Sequence, residues 1–390
     1  MTERGQSPNE PQLPSPGALA YELIETPGDL AEACERWRRE DRIALDTEFV
    51  RERTFFPALG LLQVAAGGRV TLVDPLSVGE LTPFAEVLQD PSVLKVLHSC
   101  SEDLEVFDVH LGILPEPLFD TQVAATLTAP GLPPGYARLI RDLFGIDIPK
   151  GETRSKWLRR PLRPAQLDYA ALDVAHLLQA AGRLEQRLET LSRRGWMDEE
   201  MGHLLDAARR TIPDDQIYLD VGRAQSLDPR RLAMLRDLFA WRQRTARAKD
   251  LPRSFVVKDA ALVELAVKRP RRYEQLRSIE ALDQRSAERH GRALLRIIRE
   301  AAELPKDELP ERVPRPADLS AHKELVATLR REVKSRAEEL DLAPEVLAKR
   351  RTVENLVRRW ITGAKPVLPE ALRGWRQEAV GDHLLGFLRH

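Results

Sequence analysis

The chain of 390 residues reads as an α/β domain on a mixed sheet with antiparallel first three strands, followed by two all-α helical bundle modules. Three observations carry this reading. Up to about residue 191, short apolar runs suited to strands alternate with segments of helical spacing. From Asp228 onward the apolar spacing is helical throughout. Residues 1–205 hold 21 basic and 32 acidic side chains, whereas residues 206–390 hold 39 and 29. An acidic half joined to a basic half suits a metal-using portion followed by a polyanion-holding one, and equally suits surface charge that merely varies between domains. The expected boundaries are 1–17 for a polar, Pro-rich, disordered lead-in, 18–210 for the α/β domain, and 228–302 and 318–390 for the two helical modules.

Composition narrows the class. Hydrophobic content of 43% and charged content of 31% fit a globular protein. No stretch approaches the ~20 apolar residues of a membrane helix, and the first residues lack the apolar core of a signal peptide. The two cysteines, Cys34 and Cys100, are too few for a disulfide scaffold or a zinc cluster and fit a reducing cytoplasm.

In chain order, Tyr21–Ile24 reads as a strand and Leu30, Cys34 and Trp37 as one face of a helix. Ile43–Phe49, Leu61–Ala65 and Val70–Val73 follow as strands, the last two joined by a hairpin turn at Gly67-Gly68. A helix over Leu81–Gln89 leads to a strand at Val93–Leu97. Ser101 is placed to cap the next helix, with Asp103 in its first turn. A short strand at Leu118–Thr121 precedes a helix, where Asp120 or Thr121 suits an N-cap or a direct catalytic role. Tyr136–Phe144 is helical. Lys150, Arg154 and Lys156 lie in a basic loop that either contacts phosphates or is simply solvated. A single long helix is expected over Pro164–Leu191. Tyr169 and Asp173 lie four residues apart on its face, as a surface polar pair or as site residues. A basic turn, Arg269-Pro270-Arg271-Arg272-Tyr273, lies in the first helical module. Leu304–Pro316, with four prolines, is a linker. The second helical segment repeats the layout of the first, as two copies of one module would.

The stretch that organises the chain is Ile43–Phe49. Asp46 and Glu48 end an apolar run and, at i and i+2 on a strand, point to the same face. Two like charges held so close repel and are costly to desolvate without a cation. Mg²⁺ or Mn²⁺, as hard ions that take carboxylate oxygens, are the usual resolution. A strand end with two solvated acids is the plainer alternative.

Taken together, the blocks Asp46-Thr47-Glu48-Phe49, His98–Asp103 and Tyr169–Asp173 resemble the three motifs of the four-carboxylate (DEDD) exonucleases. Tyr169, at Asp173 minus four, matches the tyrosine branch; at minus five, where the other branch has histidine, stands Asp168. Phe119–Gln122 and the loop Lys150–Leu162 narrow the likeness to the ribonuclease D family, and residues 228–302 and 318–388 resemble its HRDC modules. Lys156 stands where that loop often has a small or acidic residue.

The resemblance implies a ribonuclease H-like fold and a metal-dependent 3′→5′ exoribonuclease. It also implies release of 5′-mononucleotides from single-stranded 3′ ends of tRNA precursors and other stable RNAs. Two divalent ions, Mg²⁺ or Mn²⁺, are implied. Asp46 would bridge both, Glu48 and Asp173 would serve the nucleophile-side ion, and Asp103 the second, partly through water. Tyr169 would orient the attacking water. A cytoplasmic monomer is expected, with RNA also contacted by Lys150, Arg154, Lys156, Arg269, Arg271, Arg272 and Tyr273. A DNA 3′→5′ exonuclease and a catalytically inactive nucleic-acid-binding scaffold are the competing readings.

Overall fold

A computed structural model describes residues 19–149, 151–152, 155–363 and 367–388. The expected lead-in at 1–17, together with Lys150 and Arg154, lies outside the described residues. The chain forms two compact units. One holds the described residues up to Val50, Ala58–Arg209 and those from Asp318 on; the other holds Arg51–Pro57 and Arg210–Ala317.

The first unit is built on a six-stranded sheet in the order β1-β4-β3-β2-β5-β6. Its strands are β1 (Tyr21–Ile24), β2 (Arg42–Val50), β3 (Ala58–Ala66), β4 (Arg69–Val73), β5 (Leu94–Leu97) and β6 (Leu118–Asp120). As the sequence pattern predicts, β2, β3 and β4 are antiparallel neighbours. Gly67 and Gly68 turn the second hairpin at φ of 54° and 75°, values that suit glycine. The first strand in the chain, β1, joins the edge parallel to β4 instead of extending the meander. On the other side β5 and β6 add in parallel. Central β3 is buried along nearly its whole length, and its near-continuous apolar run reflects cover on both faces.

The helices of this sheet region are α1 (Pro27–Trp37), α2 (Pro75–Val78), α3 (Thr82–Gln89), α4 (Ser101–Leu111), α5 (Thr121–Thr128), α6 (Tyr136–Phe144), α7 (Pro164–Ala175), α8 (Leu177–Thr190) and α9 (Arg194–Arg209). Two sequence expectations are corrected here. The helix expected over Pro164–Leu191 is broken at His176 into α7 and α8. Ser101 is the first residue of α4, not its cap, and no side chain of Cys100 caps the helix. Asp120, at the end of the neighbouring strand β6, holds the turn before α4 instead. Its carboxylate accepts the amides of Ser99 (3.1 Å) and Cys100 (2.8 Å), and also those of Gln122 (2.7 Å) and Val123 (3.2 Å) at the start of α5. One acid therefore fixes two helix starts.

The second unit contains α10 (Pro229–Ala248), α11 (Arg253–Val256), α12 (Asp259–Lys268), α13 (Tyr273–Leu276) and α14 (Gln284–Glu303) around an aliphatic core. The stretch 51–57 belongs to it: Phe55 packs against that core, and Asp250 Oδ1 accepts the amides of Phe55 (2.9 Å) and Phe56 (3.0 Å). The C-terminal helices, α15 (Lys323–Glu339), α16 (Pro344–Leu347), α17 (Arg350–Ile361) and α18 (Asp382–Phe387), share one hydrophobic core with the α/β region. There Trp375 stacks on Trp196 at 4.3 Å and donates its indole N–H to Glu200 at 2.8 Å.

Candidate active site

Asp46 and Glu48 stand on the same face of β2, two residues apart, next to the register shift between Glu48 and Phe49. The register shift re-aims the strand where it leaves the sheet. Asp173 approaches from the last turns of α7. Carboxylate oxygens of Asp46, Glu48 and Asp173 all lie within 4.8 Å of one another. An all-carboxylate set at that spacing fits a hard divalent cation.

Asp103 is not in this group of three. It is buried in the first turn of α4, and its Oδ1 accepts the hydroxyl of Thr47, the residue between the two β2 acids. The link fixes Asp103 against the strand that carries Asp46 and Glu48. Its charge still reaches them and helps hold their protons on.

The electrostatics are those of crowded acids, three half-buried and Asp103 fully buried. Burial, followed by the charges of Asp103, Asp173 and Glu48, pushes the Asp46 carboxyl well above the ordinary range. Burial, then Asp173 and Asp103, raises Glu48 to about 9. Burial raises Asp103 to about 7, opposed by the Thr47 hydroxyl. It raises Asp173 to about 7 as well, opposed by a hydrogen bond from Tyr169. The expected pairing of Tyr169 with Asp173 is thus present. A set of acids in this state takes a proton or a cation readily.

Tyr169 is held by its neighbours. Its ring lies 6.3 Å from that of buried Trp157. On another side, a Cβ at Gly151 would come within 3.2 Å of the ring. The loop carrying Trp157 is fastened to the sheet by Arg160. That guanidinium donates to Asp74 (2.6 Å) and to the carbonyls of Gly60 and Trp157 (both 2.7 Å). Burial pushes Asp74 up, but the Arg160 guanidinium outweighs it and holds the carboxyl below the usual range. Gly60 is glycine for a steric reason: a Cβ there would meet the Cβ and carbonyl oxygen of Trp157 at 2.8 and 2.9 Å.

Behind Asp173, the Tyr136 hydroxyl donates to the carbonyl of Leu172 (2.8 Å) and accepts the amide of His176 (3.3 Å). It thus spans the break between α7 and α8. Thr47, Tyr136 and the Arg160–Asp74 pair were not legible as site residues, because their parts come from distant stretches of the chain. Lys156 is exposed and lines a cleft of about 800 Å³ with Arg159, Arg160 and Arg163. Arg160 is already engaged, so within the basic loop it is a fastener. In the second unit, Arg269 and Arg271 line a separate cleft, while Tyr273 lies against Gly291 of α14.

Comparison with known proteins agrees with this geometry. The 3'-5' exonuclease family matches residues 21–189, the HRDC domain residues 231–298, and the ribonuclease D C-terminal HRDC domain residues 321–384. Ribonuclease D of Pseudomonas paraeruginosa is 42% identical over 371 residues, covering 95% of this chain and 98% of that protein. Ribonuclease D of Escherichia coli is 36% identical, covering 95% and 99%. The crystal structure of the Escherichia coli enzyme, described as an exoribonuclease involved in structured RNA processing, superposes with a TM-score of 0.88 at 34% identity, over 95% of this chain and 99% of that one. The sheet with its carboxylates is therefore that of a 3′→5′ exonuclease of the tyrosine-branch DEDD class. More narrowly, the chain belongs to the ribonuclease D family and is a 3′→5′ exoribonuclease.

Proposed function

We propose that this exoribonuclease matures the 3′ ends of tRNA precursors and other stable RNAs, removing one nucleotide at a time from a single-stranded end. Water attacks the phosphorus of the last phosphodiester, the bond to the preceding 3′ oxygen breaks, and that oxygen takes up a proton. A 5′-mononucleotide and an RNA shorter by one residue result. The observation that carries this reading is the convergence of Asp46, Glu48 and Asp173 within 4.8 Å, with Tyr169 bonded to Asp173.

The acids would hold two divalent ions, Mg²⁺ or Mn²⁺, with Asp46 shared, Glu48 and Asp173 on one side and Asp103 on the other. When bound, such ions lower the pKa of the attacking water and neutralise charge on the leaving oxygen. Tyr169, oriented by Asp173, Trp157 and Gly151, aligns the attacking water. Lys156 and the turn Arg269–Tyr273, along with Lys150 and Arg154, contact RNA phosphates, which need carry no sequence information. Two free, buried cysteines suit a cytoplasmic protein, and we take the working form to be a monomer.

The test uses a 5′-labelled single-stranded RNA with Mg²⁺, Mn²⁺ or EDTA, beside the matching DNA. The expected result is a ladder that shortens from the 3′ end, requires metal, favours RNA and vanishes with Asp46→Asn. RNA that binds yet stays intact with both metals would overturn the proposal.

A further inference from the structure

Strand β3 carries one polar side chain, Gln63, in a run that is otherwise apolar or glycine. Gln63 is wholly shielded from solvent, and neither Oε1 nor Nε2 of its amide has a hydrogen-bond partner among the described residues. Buried polar groups are paired in the great majority of cases, so an amide orphaned at both ends calls for a cause. A leucine would fill the same strand position without leaving a polar group unpaired.

The sheet register fixes what Gln63 faces. It stands directly opposite Asp46 on β2 and, on its other side, opposite Leu72 on β4. Directly opposed residues of antiparallel strands put their side chains on one face, with Cβ atoms ~4.5–5.5 Å apart. Two residues away along β3, on that same face, stand Leu61 and Ala65. Of these four neighbours only Asp46 is polar. The helix over this face is α7, which brings Asp173 to Asp46 and Glu48 and packs on β2, β3 and β4. Its buried side chains are Gln166, Ala170, Ala171, Leu172 and Val174. The four apolar ones offer nothing to an amide. Gln166 engages the Arg163 amide through its Oε1, and its Nε2 is itself unpaired, so the two glutamines do not satisfy each other.

We propose that Gln63 is a positioning residue for Asp46, its amide N–H donating to an oxygen of the Asp46 carboxylate when that group holds a divalent ion. A carboxylate offers about four lone-pair sites. On Asp46 the Thr47 amide takes one, an ion needs others, and a donor from β3 fixes the plane in which they point. Partners of this kind orient metal ligands, and losing one typically weakens metal binding by about 10–100-fold. Oε1 at the other end of the amide is an acceptor for water held at the ion. The inference rests on the reading of the acids as a divalent-metal site and adds to it a group that none of the three sequence motifs contains.

The experiment uses the full chain with Gln63→Met and, separately, Gln63→Leu, both of similar volume and without the amide. Mn²⁺ binding is measured by calorimetry, thermal melting is followed in EDTA, and turnover of a 5′-labelled RNA is read against Mn²⁺ concentration. We expect both variants to melt in EDTA at or above wild type, because an unpaired buried amide has been removed. We expect them to bind Mn²⁺ about tenfold or more weakly than wild type, with turnover needing correspondingly more Mn²⁺. In wild-type protein carrying isotope-labelled glutamine, the side-chain amide proton signal of Gln63 should move downfield when Mg²⁺ is added, as a hydrogen bond to a carboxylate requires. Mn²⁺ affinity within twofold of wild type, with or without a fall in EDTA melting, would overturn the proposal in favour of a packing role. So would failure of both variants to fold, or a Gln63 signal indifferent to Mg²⁺. Wild type binding no Mn²⁺ would overturn the metal reading itself, whereas binding by wild type and variants alike would overturn the Gln63 assignment alone.

Discussion

Glu48, raised to about 9 by burial and by Asp173 and Asp103, resists ionisation at neutral pH, yet only its ionised form binds a cation well. Metal binding must therefore expel protons. Metal affinity should rise steeply between about pH 6 and 9, and calorimetric titrations in buffers of different ionisation enthalpy should report proton release. The same shifts set the stability of the metal-free protein. Each acid has a folded-state pKa above its unfolded value of about 4, so the unfolded chain loses its proton first as pH rises. This contribution to stability is full below about pH 4 and is lost as pH climbs through 7 and towards 9; thermal melts with EDTA across that range would show it. Asp46→Asn should abolish hydrolysis while raising the metal-free melting temperature, by about 2–4 °C per kcal/mol of repulsion relieved. Tyr169→Phe should lower kcat by about 10²-fold or more with metal affinity nearly intact, separating water alignment from ion binding. At this scale the sequence was most legible. Asp46 and Glu48 share a face because of strand period, and Tyr169 bonds Asp173 because of helix period. Thr47 gripping Asp103 was not legible, since a threonine between two acids gives no sign of which helix packs on it.

The break at His176 shows where local pattern gives out. Residues 164–191 contain alanines and well-spaced leucines, and their only internal glycine is Gly182. Nothing in that spacing marks a break, but the Tyr136 hydroxyl occupies the backbone groups there. Tyr136→Phe should cost about 1–3 kcal/mol by leaving buried backbone groups unpaired. Because Asp173 sits three residues before the break, metal affinity should fall as well, read by titration in the folded variant. Gly60→Ala makes the complementary point from β3. The added methyl forces Trp157 off the strand, so stability should fall by about 1–3 kcal/mol in a chemical-denaturation series, and kcat should fall with Tyr169 displaced. The strands were legible because alternation and apolar runs are local signals. The parallel seating of β1 beside β4, and the capping of α4 by Asp120 rather than by its own serine, depend on partners about 50 and 20 residues away along the chain.

On the scale of the whole chain, the two helical modules look alike in sequence but differ in attachment. The C-terminal one shares its core with the α/β region, where Trp375 covers Trp196 and Arg376 pairs with Glu200. A chain ending at 317 should therefore melt lower and show altered tryptophan fluorescence, because Trp196 loses its stacked partner and Glu200 its counter-charge. Sequence spacing revealed both bundles but could not assign them to units, since that depends on side chains distant along the chain. The second unit draws on two stretches, taking 51–57 from between β2 and β3 and the rest from beyond residue 209. That interleaving has a practical cost for anyone dissecting the protein with shears. A piece spanning 210–317 lacks Phe55, which packs against its core, and Asp250 is left with no backbone amides to accept. The complementary piece carries Phe55 and Phe56 at a hairpin tip as a bare aromatic pair. Neither fragment is a self-sufficient part, and a linker spliced across the tip would serve better than a simple cut.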